Sequence, residues 1–306
     1  VTVDALASHP HFLAHLEPVM AALGSDAGEV YTRTPPRSVR PIVVASGNDL
    51  ATASRTRGRV VLMEHGAGQA YVGVRNRSYA GGPGRGKVSL FLCPSERVAA
   101  LNRATNPNTP AVVVGSPRVD VLRRIERQPG PTTVAIAFHW RCRVCPEAGT
   151  ALDHYKASLA ALRERLGVDG IELIGHGHPR AAAELGPLYA KAGVEWVPSF
   201  EDVVRRASCF VADNSSTIFE AAACDIPVVL LNCPQYRRDV NHGLRFWDEA
   251  DVGVQCDGPG DLFERISWAL TDSLVQHARR LATSQRVYPF PGEAAVRAAT
   301  ALRGLA

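Results

Sequence analysis

Between positions 6 and 23 apolar residues recur at helical spacing: Leu6, Phe12, Leu13, Leu16, Val19, Met20 and Leu23, with a stop at Gly24-Ser25. A period near 3.6 closed by glycine predicts an amphipathic helix. Short β-rich runs follow at 29–32, 42–45, 60–63, 88–92 and 111–114, most of them separated by helical stretches. Such runs, apolar on both faces, are what a parallel sheet covered by helices requires. Arg127-Gln128-Pro129-Gly130-Pro131 breaks the pattern with two prolines around a glycine and reads as a linker. The alternation then restarts, with strands at 133–138, 171–174, 194–197, 209–212 and 228–231 and helices at 147–166, 180–192, 201–206 and 216–223. The tail 261–305 reads as helices broken at Tyr288-Pro289-Phe290-Pro291-Gly292. Two α/β domains are expected: 1–127, a linker at 128–131, and 132–285, with a C-terminal helix in 286–306 packing back on the first domain.

A length of 306 residues suits two domains. With 46% hydrophobic and 21% charged residues the chain is neither disordered nor collagen-like. The net charge of +4 permits an anionic substrate but does not announce a nucleic-acid binder. Val1-Thr2-Val3-Asp4-Ala5-Leu6 lacks the basic start and apolar core of a signal peptide. The longest strongly apolar stretch, 226–231, is far below the roughly 20 residues of a spanning helix. Seven cysteines leave one over after pairing, and several sit in apolar runs. A cytoplasmic protein with reduced cysteines and no transmembrane segment is expected.

Five segments carry polar chemistry at predicted strand ends, where open α/β sheets place ligands. Asp213-Asn214-Ser215-Ser216-Thr217 opens directly into a helix, so free N–H groups and hydroxyls could cradle a phosphate, and the same pattern also reads as simple N-capping. Gly175-His176-Gly177-His178-Pro179-Arg180 offers imidazoles and a guanidinium for an anion, or a surface loop with incidental histidines. Glu64-His65-Gly66-Ala67-Gly68 places a candidate general base after a buried strand, with Gly66 and Gly68 allowing close approach, or a plain glycine turn. Arg75, Arg77, Arg85 and Lys87 surround a glycine-rich loop that could close over a phosphate-bearing substrate or simply face solvent. His139-Trp140-Arg141-Cys142-Arg143-Val144-Cys145 has some zinc flavour, but no second cysteine pair completes it, so no metal is expected. Trp140 and Arg141 suit stacking and anion contacts. Esterase elbows, zinc-protease helices, Walker loops and dinucleotide turns are absent from the sequence.

Taken in order, the segments Glu64-His65-Gly66, Gly115-Ser116-Pro117-Arg118-Val119-Asp120, Ala137-Phe138-His139-Trp140-Arg141, His178-Pro179, Asp213-Asn214-Ser215-Ser216-Thr217 and Asp225-Ile226-Pro227-Val228-Val229 resemble the CDP-glycerol glycerophosphotransferase family of teichoic-acid polymerases. That family is a branch of the GT-B architecture. The resemblance, over about 60–250, implies an α/β fold of two Rossmann-like domains facing each other across a cleft, with C-terminal helices. It implies His65 as base on the acceptor hydroxyl and His178 as support for the donor phosphate and leaving group. Ser215 and Ser216, with Thr217, would cradle phosphate oxygens, and Trp140 and Arg141 would lie near the donor site; Arg180 and Asp213 join them as candidate donor contacts read from their own segments.

The function expected is transfer of a glycosyl or glycerophosphate group from a nucleotide-diphosphate donor, as co-substrate, to a hydroxyl acceptor, with no cofactor required. Two alternatives stand beside it. A non-hydrolysing sugar-nucleotide epimerase would use carboxylates such as Glu64, Asp120, Asp213 and Glu220. A non-catalytic protein would bind an anionic polymer through the loop from Arg75 to Lys87. The base, the acceptor class and the oligomeric state stay open at this stage.

Overall fold

The computed structural model describes residues 1–35, 39–67, 85–142, 149–236 and 247–305. The chain divides into two compact units, Val1–Arg123 with Gln285–Ala306, and Arg124–Ser284. Backbone bonding explains why the segment after Arg123 goes with the second unit. Gln128 N donates to Arg205 O (2.8 Å) and the Arg127 guanidinium to Ala207 O.

The strands of the first unit are β1 (Val3–Leu6), β2 (Ala27–Tyr31), β3 (Ile42–Val44), β4 (Val60–Met63), β5 (Val88–Cys93) and β6 (Ala111–Val113). Those of the second are β7 (Thr133–Phe138), β8 (Glu172–Gly177), β9 (Glu195–Trp196), β10 (Cys209–Ala212), β11 (Val228–Leu231) and β12 (Val254–Cys256). The helices begin with α1 (Pro10–Leu23), α2 (Gly47–Ala53), α3 (Glu96–Thr105) and α4 (Pro117–Leu122). There follow α5 (Leu152–Tyr155), α6 (Leu159–Val168), α7 (Ala182–Lys191), α8 (Phe200–Arg206) and α9 (Thr217–Ala223). The tail carries α10 (Leu262–Thr271), α11 (Leu274–Val287) and α12 (Ala294–Arg303).

Each unit holds a six-stranded sheet, ordered β2-β1-β3-β4-β5-β6 in the first and β12-β11-β10-β7-β8-β9 in the second. All neighbouring strands run parallel. In the first sheet alternate residues enter different cores. Val3, Ala5, Val61 and Met63 pack with Leu16 and Val19 of α1 and Leu302 of α12, whereas Leu6, Val60 and Leu62 pack with Leu50 of α2 and Val98 of α3. Period-two alternation thus delivers apolar side chains to both covered faces. The fold class is that read from the sequence: α/β, two Rossmann-like units, with helices at the C-terminus.

The second sheet has the Rossmann order, in which the chain reverses direction of growth between β7 and β10. In the first sheet the reversal lies between β1 and β3. At such a switch point neighbouring loops diverge and leave a crevice at the strand C-termini.

Two strands escape the sequence pattern. Position 6, expected to begin a helix, instead closes β1, and α1 starts at Pro10, where proline's fixed φ suits the first helical turn. The polar residue in β1 hides the strand, yet buried Asp4 is satisfied there by Glu29 N (3.0 Å) and Arg40 (3.6 Å). β12 is three residues long and carries Gln255 at its centre. Among the described residues no helix is long and apolar enough to cross a membrane.

Candidate functional site

In the second unit, side chains gather at the β7/β10 switch point. Asp213 follows β10 and is fully buried; its Oδ1 accepts from His139 N (2.8 Å) after β7, and its Oδ2 accepts from Thr150 Oγ1 (2.9 Å) and Ala151 N (2.8 Å). The carboxylate thus holds three loop segments together at the place where the sequence expects the donor site. It also explains why the helix expected from 147 begins only at Leu152, because Thr150 and Ala151 are held out of it.

His178 follows β8 and is positioned by a strand approach that only glycine permits. A Cβ on Gly177 would stand 2.8 Å from Phe138 O and 2.2 Å from Leu185 Cδ1. His178 N donates to Phe138 O (3.1 Å), and its Nδ1 accepts from Arg180 N (3.1 Å). An accepting Nδ1 places the neutral ring's proton on Nε2, so His178 presents an N–H donor. Its ring centroid lies 5.3 Å from that of His139 and 6.1 Å from that of Trp140. The Arg180 guanidinium lies 5.0 Å from the Trp140 ring centroid, within cation–π range. His176, two residues before, is a core group instead. Its Nδ1 donates to Val197 O (2.7 Å), its ring stacks on Trp196, and burial lowers its pKa.

The turn into α9 differs from simple capping. Ser216 occupies the cap position without a side-chain cap bond, and Ser215 Oγ instead accepts from Thr217 N (3.3 Å) and lies 2.8 Å from Thr217 Oγ1. The N–H groups of Ile218, Phe219 and Glu220 already donate to the carbonyls of Ser215 or Ser216. Free helix N–H groups, expected as the phosphate cradle, are thus largely consumed by this tight turn, and the hydroxyls of Ser215, Ser216 and Thr217 are the groups offered. Beside them Asn214 is fully buried, with neither amide atom hydrogen-bonded among the described residues.

Arg141 is engaged elsewhere. Its guanidinium bonds Glu184 (2.7 and 2.9 Å) and Asp153 (3.0 Å), which raises its own pKa and, with Lys156, holds the Asp153 carboxyl well below the usual range. An anion at Arg141 would compete with these two carboxylates. Cys142 is buried and Cys145 lies outside the described residues. Among the described residues no group of three His, Cys, Asp or Glu side chains is placed to hold a metal ion.

The first unit builds a second constellation near the β1/β3 switch point. His65 follows β4, and its Nδ1 donates to Ala45 O at the end of β3 (2.6 Å). A carbonyl can only accept, so the neutral ring keeps its lone pair on Nε2, the state a general base needs. Gly66 turns the chain with φ 65°, a conformation that favours glycine. Phe12 of α1 packs its edge on His65 with ring centroids 4.9 Å apart, and His15 stands 5.8 Å away. His11 lies 4.0 Å from Phe12, completing a histidine cluster that sequence reasoning missed. The signal was present as His11 and His15, four apart on the helix leaving β1. Burial first, then His65, Arg118 and His11, push the His15 pKa well down.

Of two expected lid residues, Arg85 points inward and Lys87 stays exposed. Arg85 is a buried partner of Glu64, the pair being 6% and 10% exposed, and it also donates to Asn102 Oδ1 (2.7 Å). Lys87 Nζ donates to Ser54 O (3.1 Å). Glu64 therefore serves the Arg85 pair, and both basic side chains are tied to the first unit's own groups. Gly68, Arg75 and Arg77 lie outside the described residues. The Gly115–Asp120 motif is likewise structural in its bonding. Buried Asp120 accepts from Gly292 N (2.6 Å) and Ala295 N (3.3 Å), fixing the start of α12.

No family model and no curated protein matches the chain. Solved structures do. A wall teichoic acid polymerase, TagF, soaked with CDPG is similar with a TM-score of 0.70 at 11% identity, over 99% of this chain and 88% of that one. S. aureus MnaA in a co-structure with UDP gives 0.63 at 10% identity, over 96% of this chain and 93% of that one. UDP-GlcNAc 2-epimerase from Neisseria meningitidis bound to UDP-GlcNAc gives 0.61 at 10% identity, over 96% of this chain and 97% of that one. At these identities the likeness shows the fold, GT-B, with two Rossmann-like α/β units in the chain.

Proposed function

We propose that this chain is a transferase that moves a glycosyl or glycerophosphate group from a nucleotide-diphosphate donor to a hydroxyl acceptor. The observation that carries the reading is the gathering of His139, Trp140, His178 and the Ser215–Thr217 hydroxyls at the β7/β10 switch point, with the His139 and His178 rings 5.3 Å apart. Ligands reported with similar structures, CDPG, UDP and UDP-GlcNAc, support a donor of this class.

In this scheme the second unit takes the donor. His178 donates from Nε2 to a diphosphate oxygen, the hydroxyls of Ser215, Ser216 and Thr217 donate to others, and Trp140 with Arg180 supplies a stacked cationic edge. These bonds strengthen as negative charge moves onto the leaving nucleotide, which is how fixed donors lower a barrier. The first unit takes the acceptor's proton. As the acceptor oxygen bonds to the transferred carbon or phosphorus, its proton passes to His65 Nε2, and the bond to the leaving nucleotide breaks with its electron pair. Metal and cofactor have no part in the proposal.

The epimerase reading would need carboxylates at the reacting atoms. Glu64, Asp120 and Asp213 are instead engaged with Arg85, the start of α12 and the β7 loop. The polymer-binding reading loses Arg85 to its buried partners, and Lys87 donates to Ser54 O.

A thermal-shift panel with CDP, UDP, GDP and ADP tests the donor site. A ligand at about 100 times its Kd stabilises the native state by about 2.7 kcal/mol, a shift of several degrees. Stabilisation by one nucleotide supports the reading and names its base; no shift with any of them removes it.

A further inference from the structure

Three asparagines are buried among the described residues, and two of them are satisfied. Asn102 Oδ1 accepts from Arg85 (2.7 Å), and its Nδ2 donates to Val98 O (3.2 Å). Asn232 Nδ2 donates to Gln255 Oε1 (3.0 Å) and to Asp257 Oδ1 (2.8 Å). The third, Asn214, is 0% exposed, and neither its Oδ1 nor its Nδ2 has a hydrogen-bond partner among the described residues. Sealing both poles of an amide from water without partners destabilises a fold, and a small apolar side chain would sit there at less cost. A group kept against stability marks a place where another state of the molecule offsets that cost.

The setting of Asn214 points to the state concerned. On its N-terminal side Asp213 is anchored by His139 N, Thr150 Oγ1 and Ala151 N. On its C-terminal side Ser215, Ser216 and Thr217 are each half-buried, Ser216 makes no cap bond, and Ser215 Oγ bonds within the turn to Thr217. Hydroxyls that turn from one another to a bound diphosphate loosen this side and uncover residue 214, while Asp213 keeps its anchor. The amide's own chemistry selects the part of the ligand it meets. A diphosphate oxygen only accepts, and would leave Oδ1 unpaired. A hydroxyl both accepts and donates, so one hydroxyl or two neighbouring ones satisfy Nδ2–H and Oδ1 together.

We propose that Asn214 is a specificity-determining residue, unpaired in the nucleotide-free chain, that pairs with a hydroxyl of the donor, on its ribose or on the group transferred. The inference rests on the donor reading above.

Asn214→Ala tests it in two measurements. In thermal melts without nucleotide the variant should be more stable than wild type by about a few degrees, because alanine removes both unpaired atoms and leaves only a small cavity. In calorimetric titrations with UDP and UDP-GlcNAc, and with CDP and CDP-glycerol, it should bind about tenfold more weakly than wild type, the scale of two neutral hydrogen bonds. Loss with the nucleoside diphosphate itself puts the hydroxyl on the ribose; loss confined to the conjugate puts it on the transferred group. The inference is overturned if Asn214→Ala is no more stable than wild type or fails to fold, since the amide is then satisfied without a donor. Binding by the variant equal to that of wild type for both forms of the ligand overturns it as well, and leaves the donor reading standing. Should wild type bind none of the four, the donor reading falls and takes this inference with it.

Discussion

The two units each place a histidine just past the C-terminal end of a parallel strand, and prepare it in opposite ways. His65 donates a hydrogen bond from Nδ1–H to a carbonyl, Ala45 O, which puts the neutral ring's lone pair at Nε2. His178 accepts a hydrogen bond at Nδ1 from a backbone N–H, that of Arg180, which puts the neutral ring's N–H at Nε2. One backbone partner per ring decides which face of the same residue type is offered, a proton acceptor in the first unit and a donor in the second. Position at a strand end marks a site; the partner of the second nitrogen assigns its chemistry.

The largest effect expected from breaking this contrast is on turnover. Replacing His65 by glutamine should lower the rate with the donor conjugate of the responding nucleotide by about 10²- to 10⁴-fold, the usual worth of a general base. Donor affinity should be unchanged. A loss of affinity as large as the loss of rate would move His65 into the donor site. Long-range ¹H–¹⁵N spectra sharpen the same contrast directly, with the neutral-ring proton expected on Nδ1 of His65 and Nε2 of His178.

Two of the arginines that the sequence offers as anion contacts, Arg85 and Arg141, make a second comparison. Arg85 is sealed against Glu64, so Arg85→Ala leaves a buried carboxylate without its partner and should cost about 3–5 kcal/mol in denaturant unfolding. Stability should also fall as pH drops. Burial lowers the pKa of both His15 and His176 in the folded chain, so below about 6.5 the unfolded chain binds more protons and gains ground. His15→Gln should flatten that slope between the ordinary histidine pKa and the lowered one, as read by melting temperature against pH. The smallest effect is expected at Arg141, whose partners are solvent-exposed. Arg141→Ala should change stability by about 0–1 kcal/mol and leave donor affinity intact. A large loss of donor affinity there would show that an anion does displace Glu184 and Asp153.

The strands β4, β7, β10 and β11 were legible to the residue because β-branched and apolar runs stop at turn residues. β1 and β12 were not, because Asp4 and Gln255 interrupt short runs, and partners distant in sequence, such as Glu29 for Asp4 and Asn232 for Gln255, satisfy them. The strand-end histidines could be picked as candidates, but their tautomers could not, since Ala45 and Arg180 enter only through the folded backbone. Charge misled most. Arg85, Lys87, Arg141 and Asp213 look like ligand contacts in a sequence, and their partners Glu64, Ser54, Glu184 and Thr150 are revealed by tertiary structure alone.

Calorimetric titration of the nucleoside diphosphate that stabilises the protein, against wild type, His65→Gln and His178→Ala, tests the division of roles most directly. Wild type and His65→Gln should bind alike, and His178→Ala should bind at least tenfold more weakly, the scale of one hydrogen bond to a charged group. Undiminished binding by His178→Ala, or binding lost in His65→Gln, would contradict it.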